Sequence, residues 1–132
     1  MIKGVGHLGI VVKDIEKSLK ALSQIIPLQS PEIKDFPEKK MKCAVVETQG
    51  VALEFLQDDS DNGFLGRFGR EKGDAIHHFC LISDNIEEDV EALKKRGVEM
   101  LDQRPRIGLR GKKIAMTMPS ALNGITIELS EP

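Results

Sequence analysis

His7-Leu-Gly-Ile-Val-Val-Lys-Asp-Ile-Glu-Lys-Ser-Leu-Lys-Ala-Leu22 and His78-Phe-Cys-Leu-Ile-Ser-Asp-Asn-Ile-Glu-Glu-Asp-Val-Glu-Ala-Leu93 repeat one pattern at a shift of 71 positions (78 − 7). Ile10-Val11 meets Leu81-Ile82, Asp14 meets Asn85, Ile15 meets Ile86, Leu19 meets Val90, and Ala21-Leu22 meets Ala92-Leu93. A second echo, at a shift of 74 (128 − 54), sets Val51-Ala-Leu-Glu54-Phe on Ile125-Thr-Ile-Glu128-Leu. Self-similarity at a fixed spacing marks a fold assembled from repeated supersecondary units. Each half opens on a strand bearing a histidine and closes on a strand bearing a glutamate.

Local chemistry turns each half into the same string of elements. Residues 5–12 are rich in β-branched and apolar side chains, which predicts a strand. Asp14 is a good helix N-cap, and Ile15, Leu19, Leu22 and Ile26 then share one helical face, with Pro27 as the expected stop. The charged stretch Glu32–Glu38 reads as a loop or edge strand. Met41–Thr48 and Val51–Gln57 read as strands joined by a tight Gln49-Gly50 turn. The second half predicts a strand over Ile76–Ser83, an Asn85-capped helix ending at Gly97, a short strand Val98–Leu101, and strands Lys113–Met118 and Ile125–Ser130. The expectation is an α+β chain of two tandem βαβββ modules, about 1–58 and 74–132. An amphipathic linker helix is expected over about 59–73. The two modules would form one curved mixed sheet around a metal-binding cleft, within a single domain spanning 1–132.

Strand alternation then selects the chemistry. Ile125, Ile127 and Leu129 share a face that must pack on a helix, so Thr126, Glu128 and Ser130 point the other way. Val51, Leu53 and Phe55 likewise leave Glu54 on the non-helix face. Equivalent residues of two pseudo-symmetric modules converge on the axis between them. His7, Glu54, His78 and Glu128 are therefore candidate ligands for one divalent ion of the Co, Mn, Ni, Zn or Fe type. His77 faces away from His78 by alternation and reads as structural.

Composition narrows the partners. The chain has 132 residues and a net charge of −2, a poor electrostatic footprint for a nucleic-acid binder. It has no Trp, no Tyr and five Phe, too few for a site built on stacked aromatics. Cys43 and Cys80 form no C-x-x-C pair and read as reduced, structural residues. No apolar run is long enough to span a bilayer, and the first residues lack the layout of a signal peptide. No membrane association and a cytoplasmic location are the expectations.

With His7-Leu-Gly-Ile-Val-Val-Lys-Asp-Ile-Glu-Lys, Ile76-His-His-Phe-Cys-Leu, Arg106-Ile-Gly-Leu-Arg-Gly-Lys-Lys and Asn123-Gly-Ile-Thr-Ile-Glu-Leu in place, the chain resembles the vicinal oxygen chelate superfamily. This is the glyoxalase/bleomycin resistance/dioxygenase group. Within it the chain looks most like the methylmalonyl-CoA epimerases. The resemblance implies one divalent metal held at His7, Glu54, His78 and Glu128. It implies a CoA thioester substrate whose two C2 epimers are interconverted by proton transfer through a stabilised enolate, and a homodimer. It also implies that Glu128 serves as an acid/base group while acting as a ligand.

Epimerisation calls for a second acid/base group. The third-strand position where the family carries a carboxylate aligns near Lys42. If Gln49-Gly50 is a two-residue turn, Glu47 shares the cleft-facing parity and is a candidate. Cys43 shares that parity, and Lys42 or a water are alternatives. Arg104, Arg106, Arg110, Lys112 and Lys113 form a local basic cluster, read either as a cradle for CoA phosphates or as a solvated loop. Competing readings are a glyoxalase I type isomerase acting on a glutathione hemithioacetal and a drug-binding resistance protein of the same fold. The scarcity of aromatics disfavours the binder.

Overall fold

The computed structural model describes residues 1–29 and 31–132. The described residues form eight strands and three α-helices in the order β1 Ile2–Val11, α1 Ile15–Ser23, β2 Lys34–Phe36, β3 Met41–Val46, β4 Ala52–Asp58, α2 Phe64–Lys72, β5 Ala75–Ser83, α3 Ile86–Lys95, β6 Arg106–Ile107, β7 Lys113–Met116 and β8 Thr126–Ser130. The α+β class expected from the repeat is the class observed. Two compact units share these elements: a contiguous one, Leu8–His77, and a split one, Met1–His7 with His78–Pro132.

In the contiguous unit the strands run β2-β3-β4-β1. β3 and β4 are antiparallel, with Val45 opposite Glu54, the register expected of a Gln49-Gly50 turn. The ladder nevertheless stops at Val46, so Glu47 lies beyond the strand and is exposed. Val12, Ile15, Leu19, Ala44, Val46 and Phe55 form the buried core, with Ile26 packed at its margin. Ala44 and Val46 face α1, so by alternation Lys42 lies on that side of β3 too, and it lines a groove with Lys17 and Gln57. Helix α1 starts where the sequence says, with the Asp14 carboxylate accepting from Lys17 N at 3.1 Å. Gln57 Oε1 adds a second acceptor, 2.8 Å from Ile15 N. The helix ends at Ser23, short of Pro27. The ring disfavours α geometry in the residue before it, and the chain tightens into turns from Leu22 onward. His77 is packed against Phe64 and Phe68 of α2, with ring centroids 5.8 and 4.8 Å away.

In the split unit the order is β1-β5-β8-β7-β6. β5 and β8 are parallel and the outer pairs antiparallel, so the sheet is mixed, as expected. Ile86, Val90, Met100, Ala115 and Leu129 make its core. Ile86 and Val90 thus hold the places that their repeat partners Ile15 and Leu19 hold in the other unit. Asn85 caps α3 by accepting from Glu88 N at 3.3 Å and donating to the Glu88 carboxylate at 3.0 Å. The expected strand Val98–Leu101 reduces to a single bridge between Met100 and Thr117. Instead the basic loop contributes β6, folded onto β7 by a turn in which Gly108 N donates to Lys112 O and Gly111 adopts φ +81°. No helix among the described residues is long and apolar enough to cross a membrane.

Two stability predictions follow from these cores. Ile15→Ala removes a fully buried side chain and should cost about 2–5 kcal/mol in urea unfolding. Asn85→Ala, which loses the cap, should cost ~1 kcal/mol, and Asn85→Asp should recover most of it.

Candidate metal centre

Three strands of the split unit each bring one donor side chain into a shared cluster. β1 ends its stay in that unit at His7, β5 enters it at His78, and β8 carries Glu128. The parallel pairing sets Cys80 opposite Glu128, so His78, two residues earlier on β5, shares its face with both. His7 Nε2 lies 3.4 Å from His78 Nε2 and 3.4 Å from Glu128 Oε1. His78 Nε2 lies 3.6 Å from Glu128 Oε2. The imidazole rings meet edge to face, 5.5 Å between centroids.

All three side chains are desolvated: His7 is 3% exposed, His78 1% and Glu128 5%. The sequence expected the polar face of β8 to look into a cleft or solvent. The structure buries it, Thr126 and Ser130 included. Burial first, and then the charges of Arg110 and Lys112, push His7 down to about 4. The ring is therefore neutral at ordinary pH, the form that ligates metals.

The donor spacing suits an ion. Nitrogen and oxygen donors at ~2.0–2.2 Å from one centre stand about 3.3–3.5 Å apart at tetrahedral angles. Two imidazoles and a carboxylate are the donor types of a borderline transition ion rather than of Ca²⁺. Arg110 adds a further partner, its Nη2 3.3 Å from His7 Nδ1. A guanidinium only donates, so Nδ1 accepts there and the neutral ring carries its proton on Nε2. Ion binding at Nε2 and the Arg110 contact at Nδ1 draw on opposite tautomers.

The remaining sequence candidates are placed as follows. Glu54 belongs to the contiguous unit, buried on β4. Glu47 belongs to that unit as well and is exposed, while Cys43 is buried on β3. The basic residues do not act as one patch. Arg106 Nε donates to Asp102 at 2.9 Å. Lys113 Nζ donates to Glu87 at 2.6 Å, which holds the Glu87 carboxyl below its usual range. Arg104 and Lys112 are exposed, and Arg110 turns toward His7. Sequence reasoning missed two features. It grouped Arg110 with its neighbours because proximity along the chain does not reveal a contact to position 7. It read Cys80 as structural, although its Sγ lies with the ligating atoms of His7 and Glu128 within 4.8 Å of one another. The parity of Cys80 with His78 could have signalled that placement.

Known proteins share this chain's pattern. Residues 6–116 match the family described as the Glyoxalase/Bleomycin resistance protein/Dioxygenase superfamily. An uncharacterised Bacillus subtilis protein, YqjC, is 29% identical over 126 residues, covering 96% of this chain and 90% of its own. The mitochondrial methylmalonyl-CoA epimerase of Homo sapiens is 28% identical over 128 residues, covering 96% of this chain and 73% of that protein. A solved methylmalonyl-CoA epimerase in complex with methylmalonyl-CoA and NH4+ matches with a TM-score of 0.88. That match covers 99% of this chain and 95% of the other at 19% identity, a likeness that carries the fold alone. The family match spans most of the sequence, and the chain belongs to the Glyoxalase/Bleomycin resistance protein/Dioxygenase superfamily.

Proposed function

We propose that the chain is a metal-dependent epimerase that interconverts (2R)- and (2S)-methylmalonyl-CoA by proton transfer at C2. The observation that carries this reading is the buried cluster of His7, His78 and Glu128, in which the two Nε2 atoms lie 3.4 Å apart and each lies 3.4–3.6 Å from a different oxygen of the carboxylate. The similarity to epimerases over nearly the whole chain supports the substrate class. Glu54 is included as the fourth ligand because the internal repeat makes it the counterpart of Glu128.

When bound, a divalent ion supplies Lewis-acid stabilisation of negative charge on a carbonyl oxygen, which acidifies the neighbouring C–H. The chain's residues supply the rest. His7, whose ring is neutral, and His78 are both buried and hold their nitrogens in place. Glu128 is a buried carboxylate beside both imidazoles, and it is assigned the transfer on one face of C2. Glu47 is the assigned partner for the opposite face. Its exposed position beyond β3 requires that bound substrate extend toward it. Arg104 and Lys112, exposed on the basic loop, are assigned to the CoA phosphates. Arg106 and Lys113 must give up carboxylate partners to join them.

The decisive experiment incubates metal-loaded protein with one epimer in deuterated water and follows C2 exchange by mass spectrometry. Exchange that depends on metal and yields the other epimer is the expected result. Bound metal with no exchange would falsify the reading. Glu128→Gln should lower exchange by about 10²–10⁴-fold, and Glu47→Gln should slow exchange from one epimer more than from the other. Lys112→Ala should raise KM and leave kcat unchanged.

The depressed His7 pKa gives a pH prediction for the metal-stripped chain. Between the ordinary histidine value of 6.5 and about 4 the unfolded state binds a proton that the folded state refuses. Stability is therefore full above the ordinary value and falls as pH drops toward 4. His77, lowered by burial, acts in the same direction. Urea midpoints at pH 5 and pH 7, with chelator present, should differ less in His7→Gln than in the parent chain.

A further inference from the structure

We propose that Cys80 is the metal-selecting donor of this centre. Its sulfur would bring a thiophilic divalent transition ion, of the Zn²⁺ or Co²⁺ class, to the site in preference to Mg²⁺ or Mn²⁺. The inference deepens the reading above and rests on the metal centre proposed there.

Geometry comes first. Cys80 Sγ, a ring nitrogen of His7 and a carboxylate oxygen of Glu128 all lie within 4.8 Å of one another. Donors on a single ion, with sulfur at ~2.3 Å and nitrogen or oxygen at ~2.0–2.2 Å, are separated by about 3.3–4.5 Å as the angle opens. The backbone places the sulfur there by construction. Cys80 is the register partner of Glu128, and it lies two residues beyond His78 on the same face of β5. Its neighbour Leu81 points to the other face, where it packs on the α3 core. Cys80 is therefore not a filler of that apolar cluster, although it is 0% exposed.

Chemistry comes second. A set of imidazoles and carboxylates discriminates weakly among first-row ions. Adding a soft sulfur donor shifts the order toward zinc and cobalt and away from oxygen-seeking magnesium and manganese.

The test uses the metal-stripped, reduced full chain and cobalt as the probe. Titration with Co²⁺ should produce a near-ultraviolet sulfur-to-cobalt charge-transfer band. That band should persist in Cys43→Ser and vanish in Cys80→Ser and Cys80→Ala. Equilibrium dialysis against mixed Zn²⁺ and Mn²⁺, read by elemental analysis, should show a zinc preference that falls about tenfold or more in Cys80→Ser. The Cys43→Ser spectrum decides the matter even if the Cys80 variants fold poorly. Cobalt retained without the band overturns the role of Cys80 and leaves the His7, His78 and Glu128 centre standing. Failure to retain cobalt at all overturns the metal centre together with this proposal.

Discussion

Burying two imidazoles and a carboxylate against one another is the constraint around which the split unit is arranged. A lone carboxylate taken out of water costs several kcal/mol, and that cost is offset only by partners held at the right distance. Three different strands must therefore be in register before Glu128 is tolerable where it sits. The parallel pairing of β5 with β8 supplies this register, setting Cys80 against Glu128 and His78 beside them. The apolar face of the same strands, through Leu81 and Leu129, binds α3 and fixes their depth. Site and core are two sides of one set of strands.

The internal repeat shows how the same constraint is met by duplication. Asp14 and Asn85 start equivalent helices, and each cap is satisfied by a side chain accepting a backbone N–H. Ile15 and Ile86 are buried at the first turn of each helix. The units differ where the repeat is broken. The contiguous unit adds Gln57 as a second acceptor at its helix start, while the split unit uses the buried Ser83 hydroxyl, which accepts from Asn85 N at 3.2 Å. The pattern that packs is kept, and the polar contacts around it vary.

Charge on the basic loop has been divided among tasks. Asp102 accepts from Arg106 through one carboxylate oxygen and from Met116 N through the other, tying the loop to β7. Lys113 ties β7 to α3 through Glu87. Arg110 reaches the imidazole of His7 and helps to keep that ring uncharged. In a chain with nearly balanced charge, the cations of this loop are thus engaged one by one instead of forming a basic surface.

Much of the fold was legible in the sequence because its signals are local. Caps at Asp14 and Asn85, the period-two faces of β4 and β8, and the turn register at Gln49-Gly50 depend on residues a few positions apart. The histidine and glutamate of each half were legible because the repeat marked them as equivalent. Two things were not: the early end of β3, which leaves Glu47 exposed, and the pairing of β6 with β7 in place of a strand at Val98. Each depends on which backbone groups find partners across the sheet, a non-local contest that alternation alone does not decide. The same holds for Arg110 and Cys80. The sequence by itself determined which donor types exist and on which strand faces they lie. Only the tertiary structure decided that a guanidinium 103 positions away in sequence meets His7 and that a sulfur joins its cluster, because those contacts arise from strand register and burial, which no short stretch of sequence encodes.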